Sequence, residues 1–168
     1  MNLNSIKEKI FNSENISTFE STFIFDLIMN GEVSEVEAAG ILIGLKTKSE
    51  SKDEILGAAK SMRNKSLKIS SPENTVDTCG TGGDMSGTLN ISTSAAIVAA
   101  SAGAKVAKHG NRSISSKSGS ADMLEKIGYK ISADKSYLEN SLSKYNFCFL
   151  FAQYHHSAMK NVINVRKQ

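Results

Sequence analysis

Three glycines fall within the five positions Gly80-Thr81-Gly82-Gly83-Asp84. Further on, Lys108-His109-Gly110-Asn111-Arg112 runs through Ser113 and Ile114 into Ser115-Ser116-Lys117-Ser118-Gly119-Ser120. Residues of these types at this spacing bind anions, because glycine lets consecutive backbone amides turn inward without a Cβ clash. Each run follows a short apolar segment and precedes a helical pattern. A chain leaving a parallel strand there meets the positive end of the next helix, where free N–H groups and the macrodipole attract negative charge. Two such runs imply a ligand with two anionic ends. A tight strand-to-helix turn is the plainer reading of the first run, but Thr81, Asp84 and the second run downstream favour a ligand site.

Asp84 is suited to holding a hydroxyl or a magnesium-bound water, and nearly equally to capping or closing an Asx turn. Asn90-Ile91-Ser92-Thr93 offers N-cap side chains to the helix that follows. The cluster Ser92, Thr93 and Ser94 exceeds what one cap needs, which suggests phosphate contacts or a magnesium ligand. Lys117 and Arg112 are expected to clamp phosphate, and Lys108 with them. Arginine occurs only at Arg63, Arg112 and Arg166, and two of these lie beside candidate site segments, where a planar fork suits a carboxylate or phosphate. His109 is either a donor to substrate or a satisfied structural histidine, and its setting favours the second. His155-His156 beside Tyr154 suggests a metal, but adjacent residues rarely aim at one ion and no third ligand is in register, so zinc is not expected.

The elements that must position these residues follow from hydrophobic periodicity. The first 70 residues read as helical. Thr18 to Met29 carries Phe19, Phe23, Phe25, Leu27 and Ile28, with Gly31 placed to end it. Ser34-Glu35-Val36-Glu37 and Ser51-Lys52-Asp53-Glu54 are capping boxes, the second opening a helix to about Arg63. Gly40 and Gly44 share a face, which predicts close approach of another helix or of a dimer partner. Asn64 to Asn74, containing the single proline Pro72, reads as a linker. Beyond it Val76–Cys79 and Lys105–Ala107 read as strands entering the two loops. Ser92–Ala102, Ala121–Ile127 and Ser136–Lys144 read as helices, with Gly103 and Gly128 closing the first two. Phe147-Cys148-Phe149-Leu150-Phe151, apolar throughout, reads as a strand buried on both faces of a parallel sheet, and Ser157–Gln168 as a last helical segment. The fold class is α/β: a helical domain over 1–70, then an apparently incomplete parallel-sheet domain over 71–168. So few strands are expected to leave an edge and apolar area uncovered, which implies a fragment or a partner.

The 168 residues, 40% of them hydrophobic, fit one ordinary domain or one α/β domain carrying a small helical extension, with a core of modest size. A formal charge of +3, spread along the chain, gives no stripe for nucleic acid. Cys79 and Cys148 lie in apolar runs without metal spacing and are read as buried free thiols of a reducing compartment. No apolar stretch approaches the ~18 residues of a membrane span, and the N-terminus has no signal-peptide pattern. The cytoplasm is the expected location.

Gly80 to Asp84, Asn90 to Thr93 and Lys108 to Ser120 together resemble anthranilate phosphoribosyltransferase. The likeness extends to Glu54–Arg63, to Phe149–Lys160 and to Val165-Arg166. It implies the nucleoside-phosphorylase-like fold, a small helical domain beside a larger α/β domain, dimeric through the helices. The implied reaction joins the amine of anthranilate to C1 of phosphoribosyl pyrophosphate (PRPP) and releases pyrophosphate, a step of tryptophan biosynthesis, with Mg²⁺ as cofactor. By the family pattern Gly80, Gly83, Asp84, Thr88, Asn90, Ser92, Thr93, Lys108, Ser116 and Ser120 hold PRPP, and Ser92 also ligates Mg²⁺. Ile91, Gly110, Ser113, Ile114 and Ser115 belong to the same binding segments. Asn111 and Arg166 contact anthranilate, and His109 and His155 line its path. No strong general base is implied, so His109 and Arg112 have at most positioning roles.

Members of the family are about twice as long, so the chain reads as an N-terminal half. The acidic pair for a second Mg²⁺ would lie beyond Gln168, and this stretch alone is expected to bind metal poorly and to turn over little. Gln153, Ser157 and Asn164 stand where proline is usual and Ser49 where glycine is, substitutions that loosen the segments holding them. A non-catalytic, nucleic-acid-binding relative of the same fold is the main alternative, but it would show degraded loops and a basic face. Pyrimidine-nucleoside phosphorylase differs at Lys108 to Arg112, and a purely structural or dimerisation piece is the third alternative.

Overall fold

The computed structural model describes residues 2–80, 89–113 and 118–167, with side chains given as far as Val165. Two compact units result, one made of 1–66 with 156–168 and the other of 67–155.

The first unit holds helices α1 (Leu3–Phe11), α2 (Thr18–Asn30), α3 (Glu35–Lys48) and α4 (Lys52–Asn64). Ser34–Glu37 and Ser51–Glu54 form the expected capping boxes, and Ser17–Glu20 forms a third at the start of α2. Gly31 ends α2 in the left-handed region at φ +74, a conformation costly for any residue with a Cβ. Ile6, Ile10, Ile24, Ile28, Ile41 and Leu45 form the core, whereas Phe19 is exposed. The close approach anticipated at Gly44 is made by α1: a Cβ there would lie 2.7 Å from Ile10 Cγ2 and 3.3 Å from Phe11. A 3₁₀ turn (Ser157–Val162) and α9 (Ile163–Lys167) complete this unit. Val162 enters its core, with Met159 and Val165 packed against it, and Asn161 Nδ2 donates to Met29 O at 2.7 Å. The last residues, read from the sequence as part of the α/β segment, are thus grouped with the helices, because their apolar side chains complete the helical core.

The second unit contains α5 (Ile91–Ser101), β1 (Val106–Gly110), α6 (Ser120–Lys126), α7 (Lys135–Tyr145), β2 (Phe147–Phe151) and the short α8 (Ala152–His155). β1 and β2 pair in parallel, Val106 opposite Phe147 and Gly110 opposite Phe151. Every residue of β2 is buried, as its unbroken apolar run requires. Ala96, Ala100, Val106, Leu124, Phe147 and Phe149 form one core cluster, while Leu138, Leu142, Cys148 and Leu150 form another on the opposite face.

Three expectations are corrected here. Val76–Cys79 is not a strand: Val76 alone bridges to Val106, because the Asp77 carboxylate takes the His109 amide at 3.2 Å where a ladder would have used a main-chain carbonyl. Cys79 consequently lies past the bridge and is exposed, whereas Cys148 is buried as expected. The second strand begins at Val106 and runs on through His109 and Gly110, so the Lys-His-Gly run starts inside the sheet. Two main-chain groups on the outward edge of β2 find side-chain partners. Ser141 Oγ donates to Phe147 O at 2.8 Å and the Phe149 amide donates to Tyr129 Oη at 3.0 Å.

Candidate functional site

The candidate residues of the second unit gather where β1 ends and α5 and α6 begin. Thr78, just before the first loop, donates its hydroxyl to Ser92 O at 2.9 Å, which ties the loop's entry to the helix that follows its exit. Asn90 occupies the N-cap position of α5 but makes no side-chain cap. Its Nδ2 instead reaches Ser118 Oγ at 3.4 Å and Gly119 O at 3.3 Å. The flanks of the two glycine-bearing loops are thereby joined. The same diversion leaves the first turn of α5 without a side-chain cap, the condition under which a helix N-terminus accepts an external anion.

Lys108 is 1% exposed, and its Nζ donates to Thr78 O at 3.4 Å. Burial pulls its pKa down from the ordinary lysine value, against the opposing pull of Cys79 and Asp77. A cation held beside Thr78, at the entry to the first loop, in a poorly solvated position interacts with an anion more strongly than a surface lysine does. Thr93 is likewise buried at 1% exposure, whereas Ser92 is half-buried and Ser94 and Ile91 are exposed.

Arg112 has other partners than a phosphate. Its guanidinium pairs with both Glu125 oxygens, at 2.7 and 2.8 Å, and with Asp122 Oδ1 at 3.0 Å, and it lies 5.7 Å from the centre of the Phe151 ring. These carboxylates raise its pKa above the usual arginine value. Asp122 also accepts from the amides of Ser113 at 3.1 Å and Gly119 at 2.8 Å, which draws the two ends of the second loop together. The Ser120 hydroxyl donates to Asn111 O at 3.1 Å and accepts from Asn111 N at 3.2 Å, while Asn111 Oδ1 accepts from the Arg112 amide at 2.8 Å.

Glycine serves different ends around this site. A Cβ on Gly110 would collide with Ser120 Oγ and come within 2.6 Å of the Phe149 ring, and one on Gly119 would collide with the backbone of Arg112 and Ser113. Packing within the unit therefore demands both. A Cβ on Gly80 would meet nothing within 4 Å, so nothing among the described residues excludes a side chain there.

His109 stands at the end of β1 with Nδ1 2.8 Å from Asp77 Oδ2, and its ring meets that of His155 edge-on at a centroid distance of 4.5 Å. Gly83, Asp84, Thr88, Ile114, Ser115, Ser116 and Lys117 lie outside the described residues, as does the side chain of Arg166. Asp77, Asp122 and Glu125 are site residues that the sequence reading did not pick out. For Asp122 a signal was available, since an acid three residues after Gly119 sits at the N3 position of α6. Asp77 carries no comparable local signature.

Residues 4–66 match the helical bundle domain of a glycosyl transferase family, and residues 72–168 match the same family's α/β domain. The anthranilate phosphoribosyltransferase of Saccharolobus solfataricus is 48% identical over 167 residues, 99% of this chain and 48% of that protein. That of Clostridium kluyveri is 48% identical over 166 residues, 98% of this chain and 50% of the relative. The chain spans about half the length of the curated relatives it matches. Among solved structures, anthranilate phosphoribosyltransferase from Thermus thermophilus superposes with a TM-score of 0.87 at 40% identity, covering 96% of this chain and 50% of that one. The Saccharomyces cerevisiae enzyme, solved in complex with PRPP and Mg, superposes at 0.82 and 26% identity over 98% of this chain and 50% of that one. The chain therefore belongs to the glycosyl transferase family, with that family's helical bundle domain in its first part and its α/β domain in the second.

Proposed function

We propose that the chain is the PRPP-binding part of an anthranilate phosphoribosyltransferase. The observation that supports this most is the junction of the loop flanks through Asn90, with Nδ2 3.3 Å from Gly119 O. Two glycine-bearing loops tied at their edges suit a ligand carrying phosphate at one end and pyrophosphate at the other. In this reading the uncapped start of α5 and the first loop receive one anionic group, and the second loop receives the other. Lys108 supplies positive charge beside the entry to the first loop. Cleavage of the ribose C1–O bond builds negative charge on departing pyrophosphate, and fixed amides and a desolvated cation stabilise that charge without reorganising. Anthranilate, an aromatic amine, needs placement more than activation; we assign Asn111 and Arg166 to hold it, with His109 and His155 along its path.

Ser92 offers a hard hydroxyl oxygen in the first turn of a helix that no side chain caps, a donor type that suits Mg²⁺. When bound, the ion would neutralise charge on the pyrophosphate oxygens. We read the protein as a cytoplasmic homodimer. The free thiols of Cys79 and Cys148 support a reducing compartment, and exposed Phe11, Val36 and Ile43 on α1 and α3 support pairing through the helices. No helix among the described residues is long and apolar enough to cross a membrane.

Calorimetric titration of the 168-residue chain with PRPP, with and without Mg²⁺, tests the reading. Saturable binding that weakens at least tenfold in Lys108→Met is the expected result, with only a modest gain from Mg²⁺. Equal binding by Lys108→Met, or no binding by the native chain at millimolar ligand, would overturn it.

A further inference from the structure

The 11 residues of α5, Ile91–Ser101, include no charged side chain, whereas α1, α2, α3, α4, α6 and α7 each carry at least two. One side of α5 belongs to the core of its unit. Thr93, Ala96 and Ala100 are buried there, the two alanines in the cluster that holds Val106, Phe147 and Phe149. The opposite side is open. Ile91 is 64% and Val98 69% exposed, and Ala95 and Ala102 are exposed with them. These positions follow one another at intervals of four, three and four, so they form a single apolar stripe, about 16 Å long at the helical rise. A helix that is apolar on both sides sits between two layers of a fold. The sheet is one layer, and none of the described residues covers the other side.

The stripe's chemistry narrows its occupant. An anionic lipid surface or a nucleic acid would need Lys or Arg beside the apolar residues, and α5 has neither. Alanine lets another backbone come close, which suits a packed element of a protein. The described fold superposes on the Thermus thermophilus relative with a TM-score of 0.87 over 96% of this chain but only 50% of that one. Half of that relative thus has no counterpart among these residues. We propose that the stripe from Ile91 to Ala102 is a protein-docking surface, and that its occupant is a polypeptide corresponding to the half of these relatives that the chain does not match. Docking places Ile91 and Val98 in a second core layer on the far side of α5. The assignment concerns a surface and does not rest on the phosphoribosyl-transfer reading.

The test co-expresses the 168-residue chain with the half of the Clostridium kluyveri relative that it does not match. Light scattering after gel filtration and amide hydrogen exchange are the readouts. The expected result is a complex holding the two polypeptides in equal numbers, with exchange slowed in α5. Val98→Asp and, separately, Ala95→Asp should each weaken it at least tenfold while circular dichroism stays native, because both positions are exposed. Val36→Asp, at an exposed position of α3, makes the same change of charge in the helical unit and should leave the pairing intact. Failure of the two polypeptides to pair overturns the proposal, as does pairing that Val98→Asp and Ala95→Asp leave unchanged or that Val36→Asp weakens equally. Unaltered exchange of α5 in the native complex overturns it whatever the variants do. Self-association of the chain alone that Val98→Asp abolishes also overturns it, since a second copy would then be the occupant.

Discussion

Single residues in the helical unit carry charge and strain that the sequence shows only in part. Glu54 and Lys48 form a buried pair at 2.8 Å. Burial pushes the Glu54 carboxyl up, but Lys48 and the amides of Ile16 and Ser51 outweigh it and hold the pKa below the usual glutamate value. Glu20 is held at about 2 rather than 4.5, first by the hydrogen bond from Lys9 and then by the Ser17 amide. A carboxyl with a depressed folded-state pKa adds stability above its unfolded pKa and loses it as pH falls through the folded value. The Glu20 contribution is thus complete above about pH 4.5 and declines from there toward pH 2. Urea titrations across this range should show the helical unit weakening with acid, and Glu20→Gln should flatten that slope. Between the buried pair's two elements lies Ser49, at φ +68 and ψ 123, outside the regions an L side chain favours. Glycine, which has no Cβ, adopts this backbone more readily than serine does. Ser49→Gly is expected to raise stability by about 1 kcal/mol, read as a higher urea midpoint with an unchanged slope. Substitution of the neighbouring Glu50, whose backbone has no positive φ, should lack that gain.

At the scale of elements, local signals were legible where the physics is local. Capping boxes declare themselves within four residues, so the starts of α3 and α4 were read from Ser34–Glu37 and Ser51–Glu54. The continuous apolar run placed β2 at Phe147–Phe151 because burial on both faces permits no polar alternation. Val76–Cys79 was misread because strand propensity cannot register that the Asp77 side chain replaces the next rung of the ladder. The outer edge of β2 was equally hidden, since Tyr129 and Ser141 are unremarkable in sequence and gain meaning only across the fold. Tyr129 is half-buried, and its pKa is raised first by that desolvation. Tyr129→Phe removes the acceptor of the Phe149 amide and should cost about 1–3 kcal/mol, measurable by thermal or urea unfolding. Fast hydrogen exchange at Phe149 in the variant would locate the loss at this edge; unchanged protection there would contradict the assignment.

For the whole molecule, the helical unit is discontinuous in sequence, because residues 156–168 return to it. Val162 is 3% exposed in the helical core, and Asn164 Nδ2 donates to Glu35 Oε1 at 2.7 Å, a bond that a proline there could not make. Val162→Ala should destabilise this unit by about 1–3 kcal/mol. Hydrogen exchange should then quicken in α2 and α3 while β2 keeps its protection. Uniform loss across both units would contradict the separate grouping. The sequence by itself determined the elements and the types of residue available to bind phosphate, because helix caps, apolar runs and glycine-rich loops act over a few neighbouring residues. Only tertiary structure decided that Asn90 joins the loop flanks instead of capping its helix, and that Arg112 pairs with Asp122 and Glu125. It also decided that Lys108 is buried and that Asp77 serves both loop entrances. Each of these depends on a partner brought close by folding, and a hydrogen bond or ion pair between distant positions leaves no periodic trace along the chain.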